Sequence, residues 1–400
     1  MKKKILQISL ENAVEFKGKC SKKAIINKII PLIKDKSKLK KISKDVDIVI
    51  DQVNNMSLSD QIIELKKLNP KFFDKKEKIK KKIVDLPNVK KIFRVRSAPS
   101  ASGPLHIGHA LVLSINKIYR DLYGGAHILR IEDTNPEANF KEFYSMIKKD
   151  FTWLVGKPDE IYVQSDRIES YYNIAEKLIK KGKLYFCNEN SEVIRKKIRK
   201  GEKPIGASSS VKSNLENWKK MLKGEYDAGE GVMRVNTPDN LKNPALRDWI
   251  AFRINKSKHP KTGSKYCVWP MMNFSVAVDD HELKITHVIR GKDHEDQTRR
   301  QSNIFEYMNW KTPEYIHLGR INYEGMNISA SEIRKGVESG KFDGYDDKRV
   351  ETLSSLRKRN YKPAAIIKFF YEIGPTKRDK TFKKQEVYKT LDSFNRKIIE

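Results

Sequence analysis

Apolar positions set the first reading of this chain. Up to about residue 92 they recur at helical spacing, as over 24–34 and 58–68. Ser57-Leu-Ser-Asp-Gln61 stands just before the second run and reads as a helix start, with a serine able to cap the first turn. A lysine-rich stretch, 75–82, closes this part and reads as a solvated linker. The pattern then changes. Residues 91–96 (KIFRVR) alternate like a strand, 97–104 are small and rich in Pro and Gly, and 106–123 carry apolar residues at 111, 115, 118 and 122. Gly124-Gly125 ends that helix, and 127–132 (HILRIE) is a second strand. Strand, loop, helix, strand is a βαβ unit, whose strands run parallel through a right-handed crossover.

From 183 to 268 the text is mixed, with a serine triplet at 208–210, Gly-rich turns and a short strand at 232–235, and reads as an inserted domain. A second α/β stretch follows, with a strand at 286–290, a helix at 293–308 and a strand at 315–321. Residues 349–359 and 363–373 read as helices. The fold class is therefore α/β, with a parallel sheet, an insertion and helical N- and C-terminal parts.

Composition narrows the partners. The 400 residues carry a formal net charge of +31, which points to a polyanion such as nucleic acid, although a lysine-rich composition by itself accounts for part of it. Cys20, Cys187 and Cys267 lie far apart, so a disulfide scaffold and a CxxC-type zinc site are excluded and a reducing cytoplasm fits. No apolar run is long enough to span a bilayer, so no membrane association is expected. The basic start lacks the apolar region of a signal peptide.

The chemistry concentrates in Gly103-Pro-Leu-His-Ile-Gly-His109, between a strand and a helix. A helix start offers unpaired N–H groups to a phosphate, His106 and His109 share one side of the first turn, and Gly108 leaves the backbone open to a flat base or ribose. Two histidines donating to polyphosphate oxygens would stabilise charge at a phosphorus centre.

This segment is similar to the HIGH signature of class I aminoacyl-tRNA synthetases. Arg96-Ser-Ala-Pro-Ser-Ala-Ser-Gly-Pro-Leu-His106 and Arg130-Ile-Glu-Asp-Thr-Asn-Pro136 resemble the glutamyl/glutaminyl pattern. So do Val268-Trp-Pro-Met-Met-Asn-Phe274, Asp279-Asp-His-Glu-Leu283, Gly344-Tyr-Asp-Asp-Lys-Arg349 and Leu356-Arg-Lys-Arg359. The match runs from about 92 to 400, and the helical N-terminal part suits the archaeal/eukaryotic glutamyl type. The resemblance implies five parts: a helical domain (1–92), a first Rossmann half (93–182), an inserted acceptor-stem-binding domain (183–268), a second Rossmann half (269–323), and a signature loop with a helical stem-contact region (324–400). The chain is expected to end about where the family's anticodon-binding β-barrel begins.

The resemblance also implies roles. Arg96 would pair with the α-carboxylate of L-glutamate, Glu132 with its ammonium, and Ala98 and Ser100 would line the same pocket. Arg290, in Val288-Ile-Arg-Gly291, would face the side-chain carboxylate and favour glutamate over glutamine. His106, Gly108 and His109, with Ser329 and Ser331 of the signature loop, would bind ATP, and His106 and His109 would be catalytic. Mg²⁺ would ride on the ATP, and no zinc is expected, since Asn188-Glu-Asn190 follows Cys187 where some relatives carry zinc ligands. The partner would be the acceptor end of tRNA, with a separate anticodon-binding chain or a synthetase-complex partner reached through the N-terminal domain. Three departures stand out. Ala330, in Asn327-Ile-Ser-Ala-Ser331, takes the place of the signature lysine, which predicts a lowered rate unless Arg334 or Lys335 substitutes. Met272 replaces a usual tyrosine, and Ala101 a usual proline. Two rival readings accompany glutamate–tRNA ligation: a paralogue glutamylating another acceptor, such as a modified tRNA base, and a catalytically impaired RNA-binding homologue.

Overall fold

The computed structural model describes residues 1–16, 18–33, 39–70, 72 and 83–399. It separates into two units, residues 1–82 and 83–400. The first holds helices α1 (Lys2–Glu15), α2 (Lys22–Ile29), α3 (Leu39–Asn54) and α4 (Leu58–Leu68). Ile5, Leu10, Ile25, Val46, Val53 and Leu65 form its core. Helix α4 begins where the serine predicts, with the Ser57 hydroxyl accepting the Asp60 amide at 3.2 Å. Gln61, fully buried, donates to the main-chain carbonyls of Gly18, Val53 and Met56. The helix expected over 24–34 starts two residues earlier and tightens into a 3₁₀ turn at Ile30–Leu32. Pro31 is the cause, since it has no N–H for the next α-helical bond. Lys34 and the lysine run 75–82 lie outside the described residues.

In the second unit, β1 (Arg94–Ser97), α5 (Ile107–Tyr123) and β2 (Ala126–Ile131) form the βαβ unit, followed by α6 (Lys141–Val155) and β3 (Glu160–Val163). The strands lie in the order β1-β2-β3, all parallel, with Arg96 beside Ile128 and Ile128 beside Glu160. Gly124 supplies the left-handed cap at φ 65°, and a Cβ on Gly125 would strike the Phe93 carbonyl at 2.3 Å. The buried stripe of α5 is Ile107, Leu111, Ile115 and Tyr119, whereas Leu122 is 55% exposed. The step is four residues throughout, and Tyr119 is drawn inward by its hydroxyl donating to the Val84 carbonyl at 2.7 Å.

Helix α7 (Ile168–Lys180) leads into β4 (Leu184–Cys187), α8 (Ser191–Lys200), α9 (Val211–Leu222), β5 (Val232–Val235), β6 (Ile250–Ile254) and β7 (Val268–Pro270). These four strands form an antiparallel sheet in sequence order. Its core joins Trp218, Phe252 and Trp269 to Phe274 of α10 (Met272–Glu282) and Ile304 of α11 (Glu295–Tyr307). Strands β8 (His287–Gly291) and β9 (Glu314–Leu318) are parallel. The Thr286 amide donates to the Arg94 carbonyl at 3.0 Å, so the second α/β stretch meets the first at β1. The expected strand over 315–321 is two strands: β9, and after a break at Gly319-Arg320, β10 (Ile321–Glu324). Then come α12 (Ala330–Glu338), α13 (Leu353–Lys358), α14 (Pro363–Ile373), β11 (Lys380–Lys383, parallel to β10) and α15 (Lys384–Ile399). The expected helix over 349–359 is shorter, because Thr352 caps it by accepting the Ser355 amide at 3.0 Å. No helix among the described residues is long and apolar enough to cross a membrane.

Candidate active site

The start of α5 is built from its own two histidines. His106 is extended at φ −131° and is the N-cap. Its Nδ1 accepts the Gly108 amide at 3.1 Å, and its own amide donates to His109 Nδ1 at 3.2 Å. This is a capping box written in imidazoles. The Ile107 amide goes to the Glu351 carbonyl at 3.0 Å, and those of His109 and Ala110 reach the His106 carbonyl at 2.9 and 3.3 Å. All four leading amides therefore have partners inside the protein, and the expected cradle of free N–H groups is not there. The rings supply the donors instead. Because each Nδ1 accepts, each proton sits on Nε2, and both rings present an Nε2–H. Burial, with repulsion from His109, brings His106 down to about 2, and burial brings His109 down to about 4. The ring centroids are 3.9 Å apart, a spacing that suits two neutral imidazoles and opposes two cations. Gly108 is required by this arrangement, since a Cβ there would lie 2.9 Å from His106 Cε1.

A cavity of about 380 Å³ opens beside them, lined by Arg96, Ala98, His106, Gly108, His109, Glu132, Met272 and Arg290 among others. Buried charges hold two of its lining residues, Arg96 and Glu132. Asp280 accepts from Arg96 Nε at 3.1 Å, Arg96 Nη2 at 3.3 Å and Arg130 Nη1 at 2.6 Å. Burial opposes the Asp280 charge, but these two guanidinium groups hold its carboxyl below the usual range. Arg130, wholly buried, also donates to Glu132 Oε1 at 2.8 Å, and its carboxylate neighbours outweigh the burial that would discharge it. The neighbouring Asp279 faces Arg167 Nε at 2.7 Å.

Arg290 differs from these. Its Nη2 donates to Thr298 Oγ1 at 2.6 Å and Gln301 Oε1 at 2.9 Å, Nε has no partner, and no described carboxylate forms an ion pair with it. Burial, then Arg96, brings it down to about 10, so it stays charged at neutral pH. A buried cation of this kind, opening on a cavity, is made whole only by an incoming anion.

The sequence carries the same message when set against known proteins. The family model for the catalytic domain of class I tRNA synthetases (E and Q) matches residues 92–400. The glutamate–tRNA ligase of Methanocaldococcus jannaschii is 42% identical over 401 residues, covering 100% of this chain and 71% of the relative. That of Methanopyrus kandleri is 43% identical over 398 residues, covering 99% and 69%. The chain belongs to the class I glutamyl/glutaminyl synthetase family. A glutamate–tRNA ligase structure from Elizabethkingia meningosepticum, in complex with its amino acid, shares the fold at a TM-score of 0.54 and 22% identity, covering 76% of this chain and 69% of that one. This member spans about 70% of the length of the curated relatives.

The cavity of this synthetase gathers most of the residues singled out in the sequence, and leaves three outside. The main chain of Ser100 bridges to Glu132 while its hydroxyl points at Asn139 Oδ1, 3.5 Å away. Ser329 caps α12 by accepting the Glu332 amide at 3.3 Å, and its hydroxyl lies 3.1 Å from that of Ser331. Neither signature serine lines the cavity. The loop docks through its apolar members: a Cβ on Gly103 would come within 2.7 Å of Ala330 Cβ, and one on Gly108 within 3.9 Å of Ile328 Cδ1. Arg334, offered in the sequence as a substitute for the signature lysine, does not line the cavity. Its guanidinium lies 4.1 Å over the Phe140 ring and 3.3 Å from Glu338. Arg320 also lines the cavity, with Arg96 and Arg290; its side chain forms no salt bridge with a described residue, although its charge helps to lower the Asp379 carboxyl. Sequence reading passes over Arg320, Thr298 and Gln301. Thr298 and Gln301 sit three apart on α11, a spacing that marks one helix face but does not say that the face is turned inward. No group of histidine, cysteine and carboxylate side chains among the described residues is arranged to hold a metal.

Proposed function

We propose that this chain is a glutamate–tRNA ligase, activating L-glutamate with ATP and passing the glutamyl group to the 3′ end of tRNA(Glu) in the cytoplasm. The observation that carries the choice of glutamate is Arg290, a buried guanidinium with a free Nε and no ion pair to a described carboxylate, lining the same cavity as two neutral imidazole donors. Arg96 uses Nε and Nη2 on Asp280, which leaves Nη1 for the substrate α-carboxylate. Glu132 gives Oε1 to Arg130 and keeps Oε2 for the ammonium. Ala98 and Met272 shape the space between, and Ser100 holds Glu132 from behind through its main chain.

His106 and His109 meet the triphosphate, with Gly108 beneath it. Magnesium would arrive on the ATP. An oxygen of the glutamate α-carboxylate attacks the α-phosphorus, the bond to pyrophosphate breaks, and glutamyl-adenylate forms. A ribose hydroxyl of the terminal adenosine then attacks the glutamyl carbonyl and AMP leaves. No side-chain nucleophile takes part, so the protein acts by orientation and by stabilising developing charge. The Nε2–H groups serve the second task, and Arg320 supplies the full charge that Ala330 lacks. Ser329 and Ser331 shape the loop that covers the phosphates.

The test is ATP–pyrophosphate exchange with tRNA present. The parent chain should exchange in a glutamate-dependent way. Arg290→Ala should lower kcat/KM for glutamate by about 100-fold, as expected when one partner of a buried charge pair is removed at a cost of about 3 kcal/mol. Near-normal use of glutamate by that variant would refute the assignment.

A further inference from the structure

Behind the nucleotide side of the cavity lies a second buried charge cluster that the reaction does not touch. Glu351 is 1% exposed, in a segment between the signature loop and α13. Its Oε2 accepts from Arg359 Nη2 at 3.2 Å and from the Tyr388 hydroxyl, and Lys384 Nζ stands 2.8 Å from Oε1. Arg359 also donates to the Tyr388 oxygen at 2.7 Å and lies 4.6 Å over that ring. Lys384 and Tyr388 are on α15, so one carboxylate ties the segment to the C-terminal helix.

The segment's main chain runs against the histidine loop. The Ile107 amide donates to the Glu351 carbonyl at 3.0 Å, the Leu353 amide to the Leu105 carbonyl at 2.9 Å, and His106 and Thr352 pair between them as an antiparallel bridge. We propose that Glu351 is a positioning residue for nucleotide binding: its side chain anchors residues 351–353 to α15, and that anchored stretch fixes the main chain of His106 and Ile107.

The partners differ in what they need. Lys384 is 43% exposed at its side chain and Arg359 18%, so water can serve both in part. A buried ion cluster of this kind gives little stability over apolar packing. The Ile107 amide, by contrast, is the first of α5 and depends on the Glu351 carbonyl. If that carbonyl moves, the N-cap moves with it, and the Nε2–H of His106 is carried off line. A misplacement of about 1 Å can cost about 100-fold in rate. The glutamate side of the cavity hangs on β1, β2, α10 and β8, and none of the four contributes to the Glu351 cluster. The effect should therefore fall on ATP and spare glutamate.

This inference rests on the proposed ligase reading, so the test measures ATP affinity by calorimetry alongside pyrophosphate exchange with tRNA present. Glu351→Ala should weaken ATP, in Kd and in KM, by about tenfold or more, with KM for glutamate changed less than twofold. Glu351→Gln keeps the shape and an oxygen for Tyr388, and should recover part of the loss. Tyr388→Phe, which removes one hydroxyl on α15 and leaves every charge of the cluster in place, should shift ATP in the same direction by a smaller factor. It decides the matter if Glu351→Ala fails to fold. An active parent whose variants keep the parental ATP constants, or lose ATP and glutamate equally, overturns the inference alone. A parent that neither binds ATP nor exchanges overturns the ligase reading and the inference with it.

Discussion

At the scale of single residues, the protonation of the two site histidines decides what they can offer the proposed triphosphate. Both are neutral, with the proton on Nε2, because each Nδ1 accepts a main-chain amide. Imidazole ¹⁵N shifts in histidine-labelled protein should report Nε2-protonated neutral rings for both from pH 8 down to pH 5. A midpoint near 6.5, the ordinary histidine value, would contradict the assignment. The same shifts carry a stability consequence. The folded values are about 2 and about 4, against about 6.5 in the unfolded chain, so between pH 6.5 and 4 the unfolded state takes up protons that the folded state refuses. Their contribution is complete above about pH 6.5 and declines as the pH falls. His109→Gln should lose less stability between pH 7 and pH 5 than the parent in denaturant titrations. The two histidines are legible in the sequence from their spacing before an apolar helix stripe. Their charge state is not, because it depends on where four amides find acceptors, and one of those acceptors, Glu351, lies 244 residues away.

At the scale of elements, the signature loop and the histidine loop touch through Ala330 and Gly103, with no space between them for another carbon. Gly103→Ala should push the loop off and slow pyrophosphate exchange roughly tenfold, since an added carbon in a tight contact costs about 1–3 kcal/mol. Ala330→Gly in the same chain should give most of the rate back. A double variant no faster than Gly103→Ala would mean that the two loops do not work in contact. The βαβ unit and α14 are legible from periodicity, and the start of α4 from its capping serine. The break between β9 and β10 is not, because Gly319-Arg320 is a two-residue interruption that a continuous strand could also carry. It is made by Gly319, where a Cβ would stand 2.2 Å from the Arg378 carbonyl, so only a chain segment far along the sequence reveals it. Strand β11 is equally silent in the sequence, being four residues of lysine, threonine and phenylalanine that become a strand by lying beside β10.

For the whole molecule, the net charge of +31 becomes meaningful once a tRNA partner is in view. Each phosphate neutralised by lysine or arginine releases counterions, so affinity falls with a power of the salt concentration. Raising salt from about 50 to 200 mM should weaken tRNA binding by about 100-fold for about four neutralised phosphates. Glutamate, if paired with the buried Arg290 as proposed, should be nearly indifferent to the same change. Filter binding of tRNA beside glutamate titration measures both. A salt-insensitive tRNA affinity would mean that the lysines reflect composition and make few phosphate contacts. Charge alone does not tell these cases apart in the sequence, because it gives a sum and not a surface.

The imidazole capping box also limits what else could stand at these two positions. Each ring must accept an amide close to its own main chain and offer a hydrogen farther out. Asparagine reproduces the inner acceptor, since its Oδ1 falls where Nδ1 does, but its reach ends there. Glutamine reproduces the outer donor, since its Nε2 falls where the ring Nε2 does, but it leaves the amide bare. Among the ordinary side chains histidine alone meets both demands, so the two replacements split one residue into its halves. An asparagine variant keeps the helix start and lacks the hand held out to the proposed phosphate. A glutamine variant keeps that hand on a helix whose first turn frays.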